Sequence, residues 1–174
     1  MNPPVFQVVG YKNSGKTHLI RRLVSSFKQM GLVVAVIKHD MHGFDIDHEG
    51  TDTFAIRNAG ASAVAIASPW RTAIMYEQSM ELGRLIETFK EYDVIIIEGY
   101  KEMDYPKLVM VRTLEELESL TALPNIIGFV SKVELASLDD YIQKEPRSNS
   151  NILSWLHSDD TQGIMNLIQS TLDL

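Results

Sequence analysis

Gly10-Tyr11-Lys12-Asn13-Ser14-Gly15-Lys16-Thr17 follows the apolar run Val5-Phe6-Gln7-Val8-Val9 and leads into a stretch, His18 to Met30, that carries Leu19, Ile20, Leu23, Val24 and Phe27 at helical spacing. The octapeptide satisfies G-x-x-x-x-G-K-[ST] in the strand-to-helix context that gives the pattern its meaning. Glycine at 10 and 15 lets the main chain curl and aim successive N–H groups at phosphate oxygens, and the helix N-terminus adds partial positive charge. Lys16 is expected to reach the β- and γ-phosphates, and the Thr17 hydroxyl to be one ligand of a Mg²⁺ bridging the same oxygens. The candidate nucleotide-binding element is thus Gly10, Tyr11, Lys12, Asn13, Ser14, Gly15, Lys16, Thr17 and His18.

The 174 residues suffice for one sizeable core, so 1–174 reads as a single P-loop nucleotide-binding domain. With 45% hydrophobic and 22% charged residues the composition is that of a soluble globular protein. The absence of cysteine removes disulfides, thiolate zinc sites and thiol nucleophiles, so any metal is held by oxygen or imidazole. A net charge of -7 argues against general nucleic-acid binding, although Lys12, Lys16, Lys38 and His39 are placed to make a local basic site around a nucleotide. No stretch approaches a membrane span and no signal segment precedes the first strand, so the expected location is cytoplasmic.

Leu32 to Ile37 and Asp93 to Gly99 are β-branched apolar runs, expected to be strands buried on both faces of a parallel sheet. Between them, Thr51 or Asp52 caps a short helix that Gly60 ends, Ala63–Ala67 and Thr72–Tyr76 form an antiparallel pair turned at Pro69 and Trp70, and Glu81 to Phe89 is helical. Strands at Lys107–Val111 and Ile126–Val130 flank a helix from Leu114 to Leu120; Lys144 to Asn151 reads as a mobile loop; and Gly163 to Leu172 is a closing helix capped by Asp159 or Asp160. The expected fold is α/β: a three-layer P-loop NTPase fold, with a mostly parallel sheet, helices on both faces and an antiparallel hairpin extension.

Glu98, delivered by Val94-Ile95-Ile96-Ile97, is the acid expected opposite a P-loop, either as Mg²⁺ ligand or as the base that orients water. Gly99 after it suits a backbone amide that approaches a γ-phosphate. The stretch Lys38 to Thr53 is dense in Asp and His and admits three readings: a nucleotide-sensing loop in which Asp47 or Asp52 completes the Mg²⁺ shell, a transition-metal site from His39, His42 and His48, or a solvated polar loop. His39 alone reads as a phosphate or carboxylate neighbour. Ser131-Lys132-Val133-Glu134 echoes the N/T-K-x-D pattern that reads guanine, with Ser131 as an ordinary helix cap the other reading. Tyr100-Lys101 and Trp70-Arg71 either contact a pterin or partner or pack at the sheet edge.

Gly10 to Thr17, Lys38-His39 with Phe44-Asp45-Ile46-Asp47 and Gly50-Thr51-Asp52-Thr53, Asn58-Ala59-Gly60-Ala61 and Ile97-Glu98-Gly99-Tyr100-Lys101 together resemble the MobB family, over Val5 to about Val130. The resemblance implies a GTP-binding, feebly hydrolytic accessory protein of molybdenum cofactor biosynthesis, which helps attach GMP to molybdopterin alongside a separate molybdenum cofactor guanylyltransferase. It also implies a homodimer associated through the hairpin. Under this reading the cofactors are GTP and Mg²⁺; Glu98 and Lys16 carry any catalysis; Thr17, Asp52 and Glu98 hold metal; and Ser131, Lys132 and Glu134 join the nucleotide site. Related dimeric P-loop proteins carry a lysine directly after the first loop glycine, where this chain has Tyr11. Two other activities are open to the same motifs: a small-molecule kinase, for which Arg147 is the one candidate lid arginine, and a metal-insertion GTPase using the 38–52 loop.

Overall fold

Alternation along Val5–Gly10 (β1) sends Phe6 and Val8 to one face of a sheet and Gln7 and Val9 to the other, and both faces are covered. The computed structural model describes residues 3–132 and 154–174, and the chain divides into two compact units, one ending at His39 and resuming at Phe89, the other Asp40–Thr88.

The first unit holds a six-stranded sheet in which Val34–Lys38 (β2), Val94–Glu98 (β5), β1, Lys107–Met110 (β6), Ile126–Ser131 (β7) and Ser154–His157 (β8) lie side by side in that order. Every pairing within it is parallel. Helix α1 (Lys16–Gln29) lays Leu19, Ile20, Leu23 and Phe27 against Phe6, Val8, Ile96 and Leu108, and the final helix, Thr161–Leu172, adds Ile164, Met165 and Ile168 to the same core. Each such buried side chain is worth roughly 1.5–3 kcal/mol of transfer free energy. On the opposite face Leu114–Leu120 (α4) packs Leu117 and Leu120 on Val9, Val109 and Phe129. Thr113 caps α4 by accepting from the Glu116 amide at 3.2 Å.

The connection from β5 to β6 has no helix. Across β1, Gln7 is level with Ile97 on one side and with Lys107 on the other, so the chain must only step over one strand to resume. Residues 99–106 make that step, and the two fully buried polar side chains of the strands below, Gln7 and Lys107, supply donors for it. Lys107 donates to the carbonyls of Met103, at 2.7 Å, and Pro124. Desolvation by burial holds the Lys107 ammonium below its ordinary range.

In the second unit Thr51 caps Asp52–Asn58 (α2), and Ala63–Ala67 (β3) pairs antiparallel with Thr72–Tyr76 (β4) before Leu82–Thr88 (α3). The helix from Leu114 to Leu120 and the hairpin keep the bounds that the sequence predicts. Others differ. α1 begins at Lys16, where the left-handed Gly15 ends the loop, and the last helix (α5) begins at Thr161 with Asp160 accepting from Gly163 N–H at 2.9 Å. β2 is not buried on both faces: it is an edge strand of the six, and Val36 is 41% exposed. β8 was not expected, because Ser-Trp-Leu-His is too short to show a period; it is fixed by its pairing of Trp155 with Phe129 of β7. The loop expected at Lys144 to Asn151 lies outside the described residues.

Candidate functional site

The carboxyl ends of β1, β5 and β2 bring the loop 10–17, Glu98 and Lys38 together. Gly10 has φ 145°, and a Cβ there would lie 2.6 Å from the Met110 carbonyl oxygen of the neighbouring strand, so only glycine admits the turn. Asn13 and Gly15 are also left-handed, at φ 63° and 96°, which curls the chain into the first turn of α1. The Ser14 hydroxyl is buried and without a hydrogen-bond partner among the described residues.

Lys16 folds back over this loop, its Nζ donating to the carbonyls of Gly10 at 3.0 Å and Tyr11 at 2.7 Å. Burial lowers its pKa, the nearby Glu98 carboxylate opposes that, and Lys38 and Arg112 add to it. Thr17 Oγ1 is 3.1 Å from each carboxylate oxygen of Glu98, and Lys38 Nζ is 2.9 Å from one of them. Glu98 is 7% exposed, so a buried acid at the end of β5 is bracketed by the loop threonine and an ammonium from the adjacent strand.

Gly99 and Tyr100, both left-handed at φ 100° and 51°, turn the chain away after Glu98. Gln7 Nε2 donates to the carbonyls of Gly99 and Tyr100 at 2.9 and 2.7 Å. His39 donates its main-chain N–H to the Glu98 carbonyl at 2.9 Å, and its ring stacks on Tyr100 with centroids 4.1 Å apart. His39 is thus a neighbour of the Glu98 main chain, and Tyr100 packs on it rather than standing free.

Tyr11 hydrogen-bonds Ser119 at 3.0 Å, and with Lys12, Arg112, Glu115 and Glu116 these two line an open groove of about 460 Å³ beside the loop. His18 is exposed on the first turn of α1. Ser131 is buried at the end of β7 and Lys132 is exposed just beyond it, while Glu134 and Arg147 lie outside the described residues.

In the second unit Asp52 is the exposed first residue of α2. Asp47 is engaged locally: it accepts from Thr51 Oγ1 at 2.6 Å and lies 3.7 Å from Arg57, which also holds Asp45 at 3.0 Å and Glu77 at 2.7 Å. Those bonds, Thr51 foremost for Asp47 and Arg57 foremost for Asp45, keep both carboxyls below the usual range and raise the Arg57 pKa. Among the described residues no group of three or more His, Asp or Glu side chains is placed to hold a metal ion.

Sequence reading passed over Gln7, whose polarity inside an otherwise apolar run was the available signal.

A family profile described as molybdopterin guanine dinucleotide synthesis protein B matches residues 5–132. The probable molybdopterin-guanine dinucleotide biosynthesis adapter protein of Bacillus subtilis is 34% identical over 161 residues, covering 90% of this chain and 87% of that protein. The molybdopterin-guanine dinucleotide biosynthesis adapter protein of Haemophilus influenzae is 31% identical, covering 88% and 90%. The crystal structure of Bacillus subtilis MobB superposes with a TM-score of 0.77 at 31% identity, over 97% of this chain and 98% of that one. With the profile spanning most of the described sheet and relatives aligned nearly end to end, this chain belongs to the molybdopterin guanine dinucleotide synthesis protein B family.

Proposed function

We propose that the chain is a GTP-binding, weakly hydrolysing accessory protein in molybdenum cofactor biosynthesis, assisting a guanylyltransferase that converts molybdopterin to molybdopterin guanine dinucleotide in the cytoplasm. The reading is supported by membership of the family and by one geometric observation: Thr17 and Lys38 converge on the buried Glu98 directly beside the loop that Lys16 closes.

The residues present fit a nucleotide with Mg²⁺. Ser14 Oγ is buried with no hydrogen-bond partner among the described residues, which suits a phosphate oxygen, and the left-handed residues Asn13 and Gly15 curl the loop into the first turn of α1, where main-chain N–H groups are free to meet an anion. Thr17 and Glu98 are oxygen donors of the kind Mg²⁺ takes. When bound, the metal neutralises charge developing on the phosphates. The chain's own residues do the rest: Lys16 exchanges its two loop carbonyls for phosphate oxygens, Glu98 holds Thr17 in place and accepts a proton from water, and Lys38 holds the Glu98 carboxylate in orientation. Gly10 to His18 are assigned to the phosphates, and Ser131 and Lys132, with Glu134 following in sequence, to guanine. The metal role suggested for Asp52 is part of the proposal, tested by whether Asp52→Asn weakens the Mg²⁺ dependence of binding.

The proposed homodimer associates through the β3–β4 hairpin. Ala63, Ala65 and Ala67 share a face with Ile74 and Tyr76, and Ile74 and Tyr76 are 53% and 49% exposed. A two-stranded sheet with an open apolar face is marginal alone, which favours a second copy laid against it.

Calorimetric titration with GTP and ATP, each with and without Mg²⁺, tests the reading. GTP should bind more tightly than ATP, and Glu98→Gln should reduce hydrolysis more than binding. Preference for ATP would remove the guanine assignment, and equal losses in Glu98→Gln would make that residue a positioner of Mg²⁺ alone.

A further inference from the structure

Arg112 follows β6 by two residues, and because Met110 of that strand is level with Gly10, it stands beside the opening residues of the phosphate loop. Glu116, in the first turn of α4, grips one edge of its guanidinium: Arg112 Nε lies 3.0 and 3.3 Å from the two carboxylate oxygens, and Nη2 donates to Oε1. The same carboxylate accepts from the Arg112 main-chain N–H at 2.9 Å and is 12% exposed at its side chain, against 45% for the arginine. Nη1 donates to nothing among the described residues. The loop is tied to this pair. Ser119 Oγ donates its one proton to the Glu116 carbonyl at 2.9 Å, so in the 3.0 Å bond between Ser119 and Tyr11 the tyrosine is the donor. Tyr11 also supplies one of the two carbonyls that Lys16 Nζ meets, and it lines the groove with Arg112, so the ammonium and the guanidinium flank the same residue. Behind burial and the charges of Glu98 and Lys38, those of Arg112 and Glu116 also act on Lys16.

We propose that Arg112 contacts the terminal phosphate of a bound nucleoside triphosphate: held by Glu116 through its Nε and Nη2 edge, it offers Nη1 across the groove beside Tyr11 and Lys12, and so sets a preference for triphosphate over diphosphate. A guanidinium carries five N–H donors on a planar fork, so gripping a carboxylate with one edge leaves the other for an oxyanion, with the geometry fixed before the ligand arrives. A lysine ammonium has no such second edge. The terminal phosphate is the one addressed because Lys16, expected at the β- and γ-phosphates, lies over the Gly10 and Tyr11 carbonyls, on the stretch of loop that borders the groove. Glu116 is then the positioning residue for Arg112. The inference rests on the phosphate loop binding a triphosphate, and not on which base is read.

The test titrates the full chain with GTP and with GDP, each with Mg²⁺, in wild type, Arg112→Gln and Arg112→Lys. Wild type should prefer GTP. Arg112→Gln should lower that preference about tenfold, the lower end of what a hydrogen bond to a charged group contributes, by weakening GTP and leaving GDP unchanged. Arg112→Lys, which keeps the charge and loses the fork, should stay reduced. An unchanged ratio in Arg112→Gln, or a wild type that binds GTP and GDP alike, would overturn the proposal. So would equal losses for GTP and GDP, which would mark a structural role for the Arg112 and Glu116 pair, and so would full preference in Arg112→Lys, which would show that charge at a distance suffices. A wild-type chain that binds neither nucleotide would instead remove the phosphate-loop reading itself, and the contact with it.

Discussion

The amide of Gln7 lies 2.7 Å from the carbonyl oxygen of Tyr100, a bond between the middle of the first strand and the left-handed turn that follows Glu98. Residues 99–106 cross over β1 at the level of Gln7, and an irregular crossing buries carbonyls that no helix or ladder can satisfy. A glutamine in an apolar strand is the local answer, and it also sets the direction in which the chain leaves Glu98.

Replacing Gln7 with Met keeps the volume and removes the donor. The turn should then lose about 1 kcal/mol for each of the two carbonyls, the low end of the usual range because Gly99 and Tyr100 are half-buried. Gln7→Glu, which faces two carbonyls with a carboxylate, should cost more. Urea unfolding of the two variants checks the order, and equal stability of both with wild type would contradict it.

Lys16 has a pKa lowered from 10.5 by burial, so in the window between the lowered value and 10.5 the free folded protein holds fewer protons than the unfolded chain. Stability should therefore rise with pH across that window. A bound triphosphate favours the ammonium and raises the value again, so binding there should take up a proton. Titrations in two buffers of different ionisation enthalpy measure the uptake, which Lys16→Met should abolish; no uptake in wild type would refute the assignment. Lys16→Met should also keep the fold, because only two loop bonds are lost.

The carboxyls of Asp45 and Asp47 are held below 3.8 by Arg57 and Thr51. Groups of this kind add stability that is present above their unfolded pKa and lost as pH falls through the folded values. The unit Asp40–Thr88 should accordingly loosen in acid. In Arg57→Gln the denaturant midpoint should be lower at neutral pH and fall less steeply below 3.8; a slope identical to wild type would show that the cluster does not contribute.

Ile74→Asp places a charge in the exposed face of the hairpin, where Ile74 is 53% exposed and opposite Ala65. If that face joins two copies, light scattering should show dimer for wild type and monomer for the variant. A monomeric wild type would remove the interface.

What the sequence made legible was what is local. The loop 10–17 is decided by glycines within eight residues, and the helix from Leu114 to Leu120 by apolar spacing within seven. The apolar run at 93–99 reads as buried because β5 is central, whereas the similar run at 32–37 reads the same and is not, since nothing in a strand announces that it lies at an edge. The relations that tie the site together were silent for a different reason. Gln7 meets Gly99 across 92 positions and Thr17 meets Glu98 across 81, distances at which no spacing rule operates. Lys38 was legible as a cation near the sheet edge, and its pairing with Glu98 became visible only with the β2–β5 register.

The stagger that sets Lys107 level with Ile97 has a consequence for how this chain tolerates change in length. A helical return between parallel strands can absorb a lost or gained residue by fraying an end, but a direct step across one strand, tacked down by Gln7 at its start and by Lys107 at its finish, has nowhere to store slack. Deletions there would tug on the backbone of Glu98 itself, whereas the same deletion in a surface connection would be absorbed without reaching it.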